Sequence, residues 1–376
     1  MYDVFLETMR TLQQGEPCVL STVIRTKGST PQKPGAKLLV KLDGSGIGTL
    51  GGGCVEGDIW FAAKNLLIER GTSEVKDYYL NEELAEKDGL ICGGTMYFLL
   101  DTVLKPNEFL PIAEEIVSAY ENGSAVGLAS IIKSPKGVET PVGTKLFIRA
   151  DGTTTGTLNN SHLEEFAKNK ALELMPFGRC EFVNFEGIEL FIEGYTTPPQ
   201  LVVLGGGHIS KALSNLADTL SFSVHIIDDR PEFSNATRFP NAQTTIVDTY
   251  DKGLDRIPIN RNTYIVIATR GHKYDDMATE AAARSQAGYI GLLGSRRKSL
   301  MIFEELFRKG IPEDRIRTIQ APVGLALGGR TPEEIAMSIM AEILMFHLGG
   351  NPKPMKMSNS LVEKAKRKSK DLSRTG

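Results

Sequence analysis

Leu201-Val-Val-Leu-Gly-Gly-Gly-His-Ile-Ser210 runs four apolar residues into three glycines and then into a helix that extends to Leu220. A short unbroken apolar run bounded by glycine reads as a strand buried on both faces, as in a parallel sheet. A second strand at 224–227 ends in Asp228-Asp229-Arg230, and further strands are expected at 245–247, 264–268 and 289–293. Strand and helix in alternation make a doubly wound parallel sheet of the Rossmann type. The last helix carries a full start signal: Thr331 as N-cap, Pro332 in the first position and Glu334 closing a capping box, with Ile335, Ile339 and Ile343 on one face.

Upstream the style changes. Thr196-Thr-Pro-Pro199 reads as a linker, since two prolines block continued strand or helix. Before it come a helix at 4–14, strands at 18–24, 37–42 and 47–50 with Asp43-Gly44 as a hairpin turn, and a helix at 55–69 ended by Gly71. Strands at 75–80 and 95–103 and a helix at 108–120 stopped at Gly123 come next. The pattern then repeats. Residues 16–56 lie over 124–164 at a constant offset of 108 without a gap, and eight of the sixteen positions in 35–50 are identical to their partners in 143–158. Just past the match, Gly51-Gly52-Gly53-Cys54 becomes Asn159-Asn160-Ser161-His162. The part both copies share is scaffold, and the part the first adds is a candidate functional loop. The second copy continues with a helix at 162–174 and strands at 180–184 and 188–193. The expected fold class is therefore α/β: an N-terminal α+β region with an internal duplication, then a C-terminal Rossmann-like doubly wound parallel sheet. The corresponding units are 1–122, 123–195 and 196–348, with a basic tail at 349–376.

The totals agree. At 376 residues the chain fits two or three domains, and 41% hydrophobic with 24% charged residues is a globular composition. No apolar run approaches the roughly 20 residues of a membrane span. Met-Tyr-Asp-Val-Phe-Leu-Glu at the start has acids where a signal peptide needs bases. Four cysteines, none in a Cys-x-x-Cys pair, make neither a disulfide framework nor a zinc site, so a reducing cytoplasm is expected. The last 26 residues hold eight basic and two acidic side chains, net +6, so in a chain of net −3 the rest carries −9. An acidic body argues against nucleic acid, and the tail reads as a solvated, frayed terminus.

Chemistry is expected in two places. In the second half, Gly205 supplies the turn and Gly207 the close approach of a dinucleotide fingerprint, with Ser210 where the third small residue sits, loosening the helix slightly. Asp228 falls 23 residues after Gly205, where an acid meets a ribose diol. His208, Arg270 and His272, and Arg296 at a helix start, follow other strands at the same carboxyl edge, where ligands of open α/β sheets sit. His225 and His347 read as structural. In the first half, Gly51, Gly52 and Gly53 expose backbone N–H groups to an anion at a helix start, with Glu56 in the same loop. Cys54 stands at that start, where thiolate character rises; Cys92 and Gly93 form a second glycine-flanked cysteine turn. Thiolates suit a soft metal or a sulfur-bearing cofactor, so Cys54 and Cys92 are the metal-facing candidates. Cys18 and Cys180 read as core.

The motifs Gly28-Ser-Thr-Pro31, Gly51-Gly-Gly-Cys-Val-Glu56, Cys92-Gly-Gly94, Gly205-Gly-Gly-His208, Asp228-Asp-Arg230, Thr269-Arg-Gly-His272, Gly294-Ser-Arg296 and Ala321-Pro-Val-Gly-Leu325, in this order, resemble the XdhC/CoxI family of xanthine dehydrogenase maturation factors. The resemblance implies a chaperone more than a turnover enzyme. Such a protein binds the molybdenum cofactor (molybdopterin in mononucleotide or dinucleotide form), protects it during sulfuration and delivers it to an apo molybdenum hydroxylase. It implies a homodimer, a xanthine dehydrogenase-like client in purine catabolism and a cysteine desulfurase as a further partner. Two other readings stand beside it: an NAD(P)-dependent oxidoreductase using the Rossmann half, with His272 as acid/base, and a cofactor-free docking protein. The chain does not show the thiol clusters or flavin lobe that xanthine oxidation itself requires.

Overall fold

The computed structural model describes residues 1–80, 94–121, 123–135 and 140–372. Its first half is built twice. The first copy comprises α1 (Tyr2–Gln13), β1 (Cys18–Lys27), β2 (Lys37–Lys41), β3 (Gly46–Gly48), α2 (Gly53–Glu69), β4 (Glu74–Tyr79) and β5 (Thr95–Val103). The second comprises α3 (Pro106–Tyr120), β6 (Val126–Lys133), β7 (Lys145–Arg149), β8 (Thr154–Gly156), α4 (Ser161–Leu174), β9 (Cys180–Phe185) and β10 (Ile188–Tyr195). The two antiparallel five-stranded sheets have the same order, β3-β2-β1-β5-β4 and β8-β7-β6-β10-β9. The offset of 108 holds for the first residues of β1 and β6, β2 and β7, β3 and β8, and α2 and α4.

Central strand β1 is buried along its first seven residues because both faces of its sheet are covered. On one face α2 packs through Val55, Ile59, Ala63 and Leu67. On the other, α1 and α3 lie together between the two sheets: Phe5 and Leu12 of α1 and Phe109 and Ile116 of α3 share one core with Leu20, Leu128 and Tyr195. Where the helices end, the sheets touch directly through Ile24, Leu99, Ile132 and Phe191.

Two ion pairs cross this interface in opposite directions. Lys37 Nζ lies 2.8 Å from Glu193 Oε1 and also donates to Thr22 Oγ1 at 2.8 Å. Its counterpart Lys145 lies 2.6 Å from Asp101 Oδ1. The acids occupy equivalent places, Asp101 opposite Leu20 and Glu193 opposite Leu128, which are again 108 apart. Each lobe's lysine is thus neutralised by the other lobe's acid, as a pseudo-twofold relation requires.

The second half comprises β11 (Gln200–Leu204), α5 (His208–Thr219), β12 (Ser223–Asp228), β13 (Thr244–Val247), α6 (Tyr250–Leu254), β14 (Thr263–Ile267), α7 (His272–Arg284), β15 (Tyr289–Leu292), α8 (Arg296–Arg308), α9 (Glu313–Arg317), β16 (Ile319–Gln320) and α10 (Pro332–Leu348). All its strand pairs are parallel, in the order β13-β12-β11-β14-β15-β16. Counted within this half the order is 3-2-1-4-5-6, that of a dinucleotide-binding sheet whose switch point lies between β11 and β14. The capping box on α10 forms as the sequence indicates: Glu334 N–H donates to Thr331 Oγ1 and Thr331 N–H to the Glu334 carboxylate.

Two expectations change. Thr196 and Thr197 are buried, and the Asn262 side chain donates to the Thr197 carbonyl at 2.8 Å, so this segment is a fixed joint, not a loose linker. Arg179 reinforces the joint by donating to the His347 carbonyl at 2.7 Å and to that of Phe346, satisfying groups at the end of α10. The tail, expected to fray, carries a helix, α11 (Asn359–Leu372).

Glu193→Gln should leave the Lys37 cation buried without its counter-charge and cost about 3–5 kcal/mol in urea unfolding. The apolar double variant Lys37→Met/Glu193→Leu should recover most of that loss. Equal losses for single and double variants would show that the pair does not couple the lobes.

Candidate functional site

The glycine–cysteine loop joins β3 to α2. Gly51, Gly52 and Gly53 have φ of +114°, +73° and +64°, three successive left-handed positions that glycine adopts without a Cβ clash. A Cβ on Gly51 would also stand 2.7 Å from Pro31. The loop is buckled from inside by Glu56, whose Oε2 accepts from the Thr49 hydroxyl at 2.7 Å, Leu50 N–H at 2.7 Å and Gly52 N–H at 3.2 Å. Burial pushes the Glu56 carboxyl up, but these donors outweigh it and hold it below the usual range. The duplicate makes the same buckle: Glu164 accepts from the Thr157 hydroxyl at 2.6 Å and Leu158 N–H at 2.8 Å. Glu56 therefore shapes the loop.

The copies part at the next residue. Helix α4 is capped by the Asn160 side chain, which accepts from His162 and Leu163 N–H. Helix α2 begins at Gly53 with Gly52 as N-cap and no side-chain cap, and places the exposed Cys54 in its first turn. The start lies two residues earlier than the sequence pattern indicates, which brings the thiol into the helix. An uncapped N-terminus carries unsatisfied N–H donors and the positive end of the helix dipole. Cys92 and Gly93 lie outside the described residues. Among the described residues no group of three or more His, Cys, Asp or Glu is placed to hold a metal ion.

At the Rossmann edge three helices start side by side in the topology, and the expected residues are their first members: His208 for α5, His272 for α7 and Arg296 for α8. Gly205 has φ +110°, and a Cβ there would meet the Ala268 carbonyl oxygen at 2.3 Å, so it permits the tight passage of β11 past the end of β14. Gly206, between the two expected fingerprint glycines, is the more constrained: its Cβ would lie 1.9 Å from the Phe233 carbonyl oxygen. Around Gly207 there is open space. Ser210 is buried, 1% exposed.

Asp228 is fully buried and already engaged. Its carboxylate accepts from Gly206 N–H at 2.8 Å, Arg230 N–H at 3.0 Å, and Arg230 Nε and Nη2 at 2.9 and 3.0 Å. Burial raises its pKa, but the Arg230 guanidinium and the two N–H donors more than offset this and keep it below the ordinary range. Arg230 lies 3.6 Å over the Phe233 ring, and Arg238 donates to the Gly206 carbonyl at 2.8 Å. Arg230, Phe233 and Arg238 thus pack on the turn, and the Asp228 carboxylate is taken up by the chain's own donors. Arg270 is held by Asp229 at 2.8 Å and by the Tyr274 hydroxyl at 3.1 Å. Lys298 pairs with buried Asp275, which also accepts from the Thr269 hydroxyl at 2.8 Å, while Arg296 stays exposed.

Comparison with known proteins fits both halves. Residues 201–343 match the XdhC Rossmann domain, and residues 11–78 and 119–186 each match the XdhC and CoxI family, two stretches again 108 apart. The chain belongs to the XdhC/CoxI family. It is 29% identical to a probable xanthine dehydrogenase subunit of Bacillus subtilis, over 89% of this chain and 94% of that protein. It is 22% identical to the molybdenum cofactor insertion chaperone PaoD of Escherichia coli, over 90% of this chain and 86% of that one. A crystal structure described as a xanthine dehydrogenase from Bacillus halodurans superposes with a TM-score of 0.60 at 25% identity, covering 91% of this chain and 95% of that one.

Several residues of this XdhC/CoxI chain escape a reading by motif. Arg230 and Arg238 cover the glycine turn together with Phe233, a role that the motif Asp228-Asp-Arg230 does not disclose. Cys180, expected in the core, is half-buried at the lobe interface. Cys18 is fully buried, and a ring nitrogen of His347 shares a hydrogen bond of 2.8 Å with the Tyr264 hydroxyl, as structural roles require.

Two outcomes are expected. Gly206→Ala should force the Phe233 backbone away and lower the unfolding midpoint clearly, whereas Gly207→Ala, at φ −69° in open space, should be neutral or stabilising by about 0.4–1 kcal/mol. The reverse order in chemical denaturation would remove the packing role given to Gly206. For Asp228 and Glu56, whose folded pKa values are depressed, the stability they contribute is present above about pH 4–4.5 and lost as pH falls through the folded values. Asp228→Asn/Glu56→Gln should flatten the acid limb of thermal stability; an unchanged acid slope would place that limb elsewhere.

Proposed function

We propose that this chain is a molybdenum cofactor carrier that binds the cofactor, shields it during sulfuration and delivers it to an apo molybdenum hydroxylase of the xanthine dehydrogenase kind. The observation that carries the reading is the contrast between duplicates. One scaffold, held by the same carboxylate buckle, ends once in a capped helix and once in three left-handed glycines, an uncapped helix start and an exposed cysteine. A dianionic phosphate or dithiolene end is served by N–H donors and a helix dipole, and a molybdenum–sulfur centre by a thiolate. The relatives' names support the reading: one is a cofactor insertion chaperone, and the xanthine dehydrogenase in the names of others then describes the client.

In this reading Cys54, with Cys92 and Gly93, faces the metal end, and the helix start at Gly53 meets the anionic part; Gly51 and Gly52, expected to offer their N–H groups to the anion, shape the turn instead, because Thr49 and Glu56 accept from them. The helix starts at His208, His272 and Arg296, with Gly205, Gly207 and Arg270 beside them, serve the phosphate or nucleotide. Cytoplasmic location, a homodimer and a cysteine desulfurase as sulfur donor belong to the same proposal. An NAD(P)-dependent oxidoreductase is the second reading. The strand order favours it. The engagement of Asp228 by Gly206 and Arg230 counts against a ribose at that acid.

The test is the metal and pterin content of protein purified anaerobically from a molybdenum-replete host, with NAD(H) titration in parallel. Near-stoichiometric molybdenum and pterin, lost in Cys54→Ala, is the expected result. Tight nicotinamide binding with no pterin would overturn the carrier reading.

A further inference from the structure

The pseudo-twofold that relates the lobes creates two equivalent cavities over the two reciprocal ion pairs. The first, about 440 Å³, is lined by Gly35, Lys37 and Thr49 of the first lobe and by Cys180, Glu193 and Tyr195 of the second. The other, about 510 Å³, is lined by Gly143 and Lys145 of the second lobe and by Ser73 of the first, beside Asp101. The glycines mark the correspondence: a Cβ on Gly35 would lie 3.2 Å from Cys180 Sγ, and one on Gly143 would lie 2.5 Å from Ser73. Only the first cavity adjoins the glycine–cysteine loop. Its wall residue Thr49 accepts from Gly51 N–H at 3.1 Å, and wall residue Gln32 stands 3.3 Å from where a Gly51 Cβ would be.

We propose that this first cavity seats the pterin ring of the cargo, with Glu193 as the group that recognises it; the proposal rests on the carrier reading. The volume suits one small bicyclic ligand, which sites of roughly 300–1,000 Å³ accommodate. A pterin presents its ring N–H and exocyclic amino group side by side, a pair of donors that a carboxylate accepts in bidentate fashion. Glu193 is 6% exposed, and one ammonium group, that of Lys37, bonds both its oxygens, leaving lone pairs on each. The neighbouring Tyr195 hydroxyl is enclosed and faces the Glu193 carboxylate without closing a well-formed hydrogen bond to it, a buried polar group that a ligand heteroatom would satisfy. Cys180 supplies wall, not nucleophile: burial and then the Glu193 charge push its thiol up to about 12. Seated here, the pterin directs its far end toward Gly51–Cys54. The twin cavity has a serine in place of Cys180 and borders the copy whose helix is capped, so it offers the ring no metal-facing loop.

The experiment titrates the apo protein with pterin and with lumazine, in which a carbonyl replaces the 2-amino donor, and follows ligand fluorescence. Pterin should bind at least roughly tenfold more tightly than lumazine, the discrimination that a lost hydrogen bond to a buried charge gives. Cys180→Phe, which fills the cavity without touching the ion pair, should abolish pterin binding. Equal affinity for the two ligands, no binding of pterin, or full binding by Cys180→Phe overturns the proposal. Molybdenum and pterin content of the anaerobically purified proteins separates the two claims. A wild type and a Cys180→Phe variant equally loaded would sink the pterin seat and leave the carrier reading standing. A wild type devoid of both would sink the carrier reading, with the titration still deciding whether the cavity takes a pterin.

Discussion

Lys37 and Lys145 are one residue in two copies, and each reaches across to an acid of the other copy. A charge held away from water is tolerated only with a counter-charge and hydrogen bonds in place. Lys37 is 4% exposed, so the lobe that contains it is incomplete without Glu193. The same holds, less strictly, for Lys145 and Asp101. This reciprocity fixes the relative placement of the two sheets, puts α1 and α3 between them, and leaves a cavity over each pair. Apolar burial in the shared core supplies the bulk of the adhesion, and the ion pairs select the register in which it happens.

Duplication sets a shared scaffold beside a local difference within one molecule. Both copies keep the hairpin, the glycine before the close approach and the carboxylate that gathers the Thr and Leu donors of the turn. They differ immediately after that turn. Asn160 satisfies its helix start with a side chain, and the first copy has glycine in the N-cap position. Left-handed backbone at three successive positions costs glycine little and other residues about 1–2 kcal/mol each. A loop of this kind persists for the shape it holds.

The Rossmann half shows how a motif can be right about topology and incomplete about chemistry. Gly205, Asp228 and the strand order stand where a dinucleotide fold puts them. Yet the acid is turned inward on Gly206 and Arg230, and Phe233 presses on the second glycine. The helix starts at His208, His272 and Arg296 follow adjacent strands of the same sheet.

From the sequence alone came the duplication and its offset, the alternation that builds the parallel sheet, the capping box on α10 and the loop that differs between copies. These are local: they depend on spacing, glycine and apolar periodicity over a few residues, and the backbone obeys them wherever the segment lies. The sequence also singled out Cys54, a thiol placed directly after three glycines at a helix start. Tertiary structure alone decided that Glu56 braces its own loop, that Asp228 is consumed by Arg230, that Cys180 leaves the core for the interface, and that Thr196-Thr197 is a rigid joint. The first two are settled within a few residues by the geometry of the turn, whereas the last two depend on partners far along the chain, as Lys37 does on Glu193, 156 residues away. Whether a carboxylate or a thiol is available to a ligand is settled by which other groups reach it first, and only the packed molecule brings those groups together.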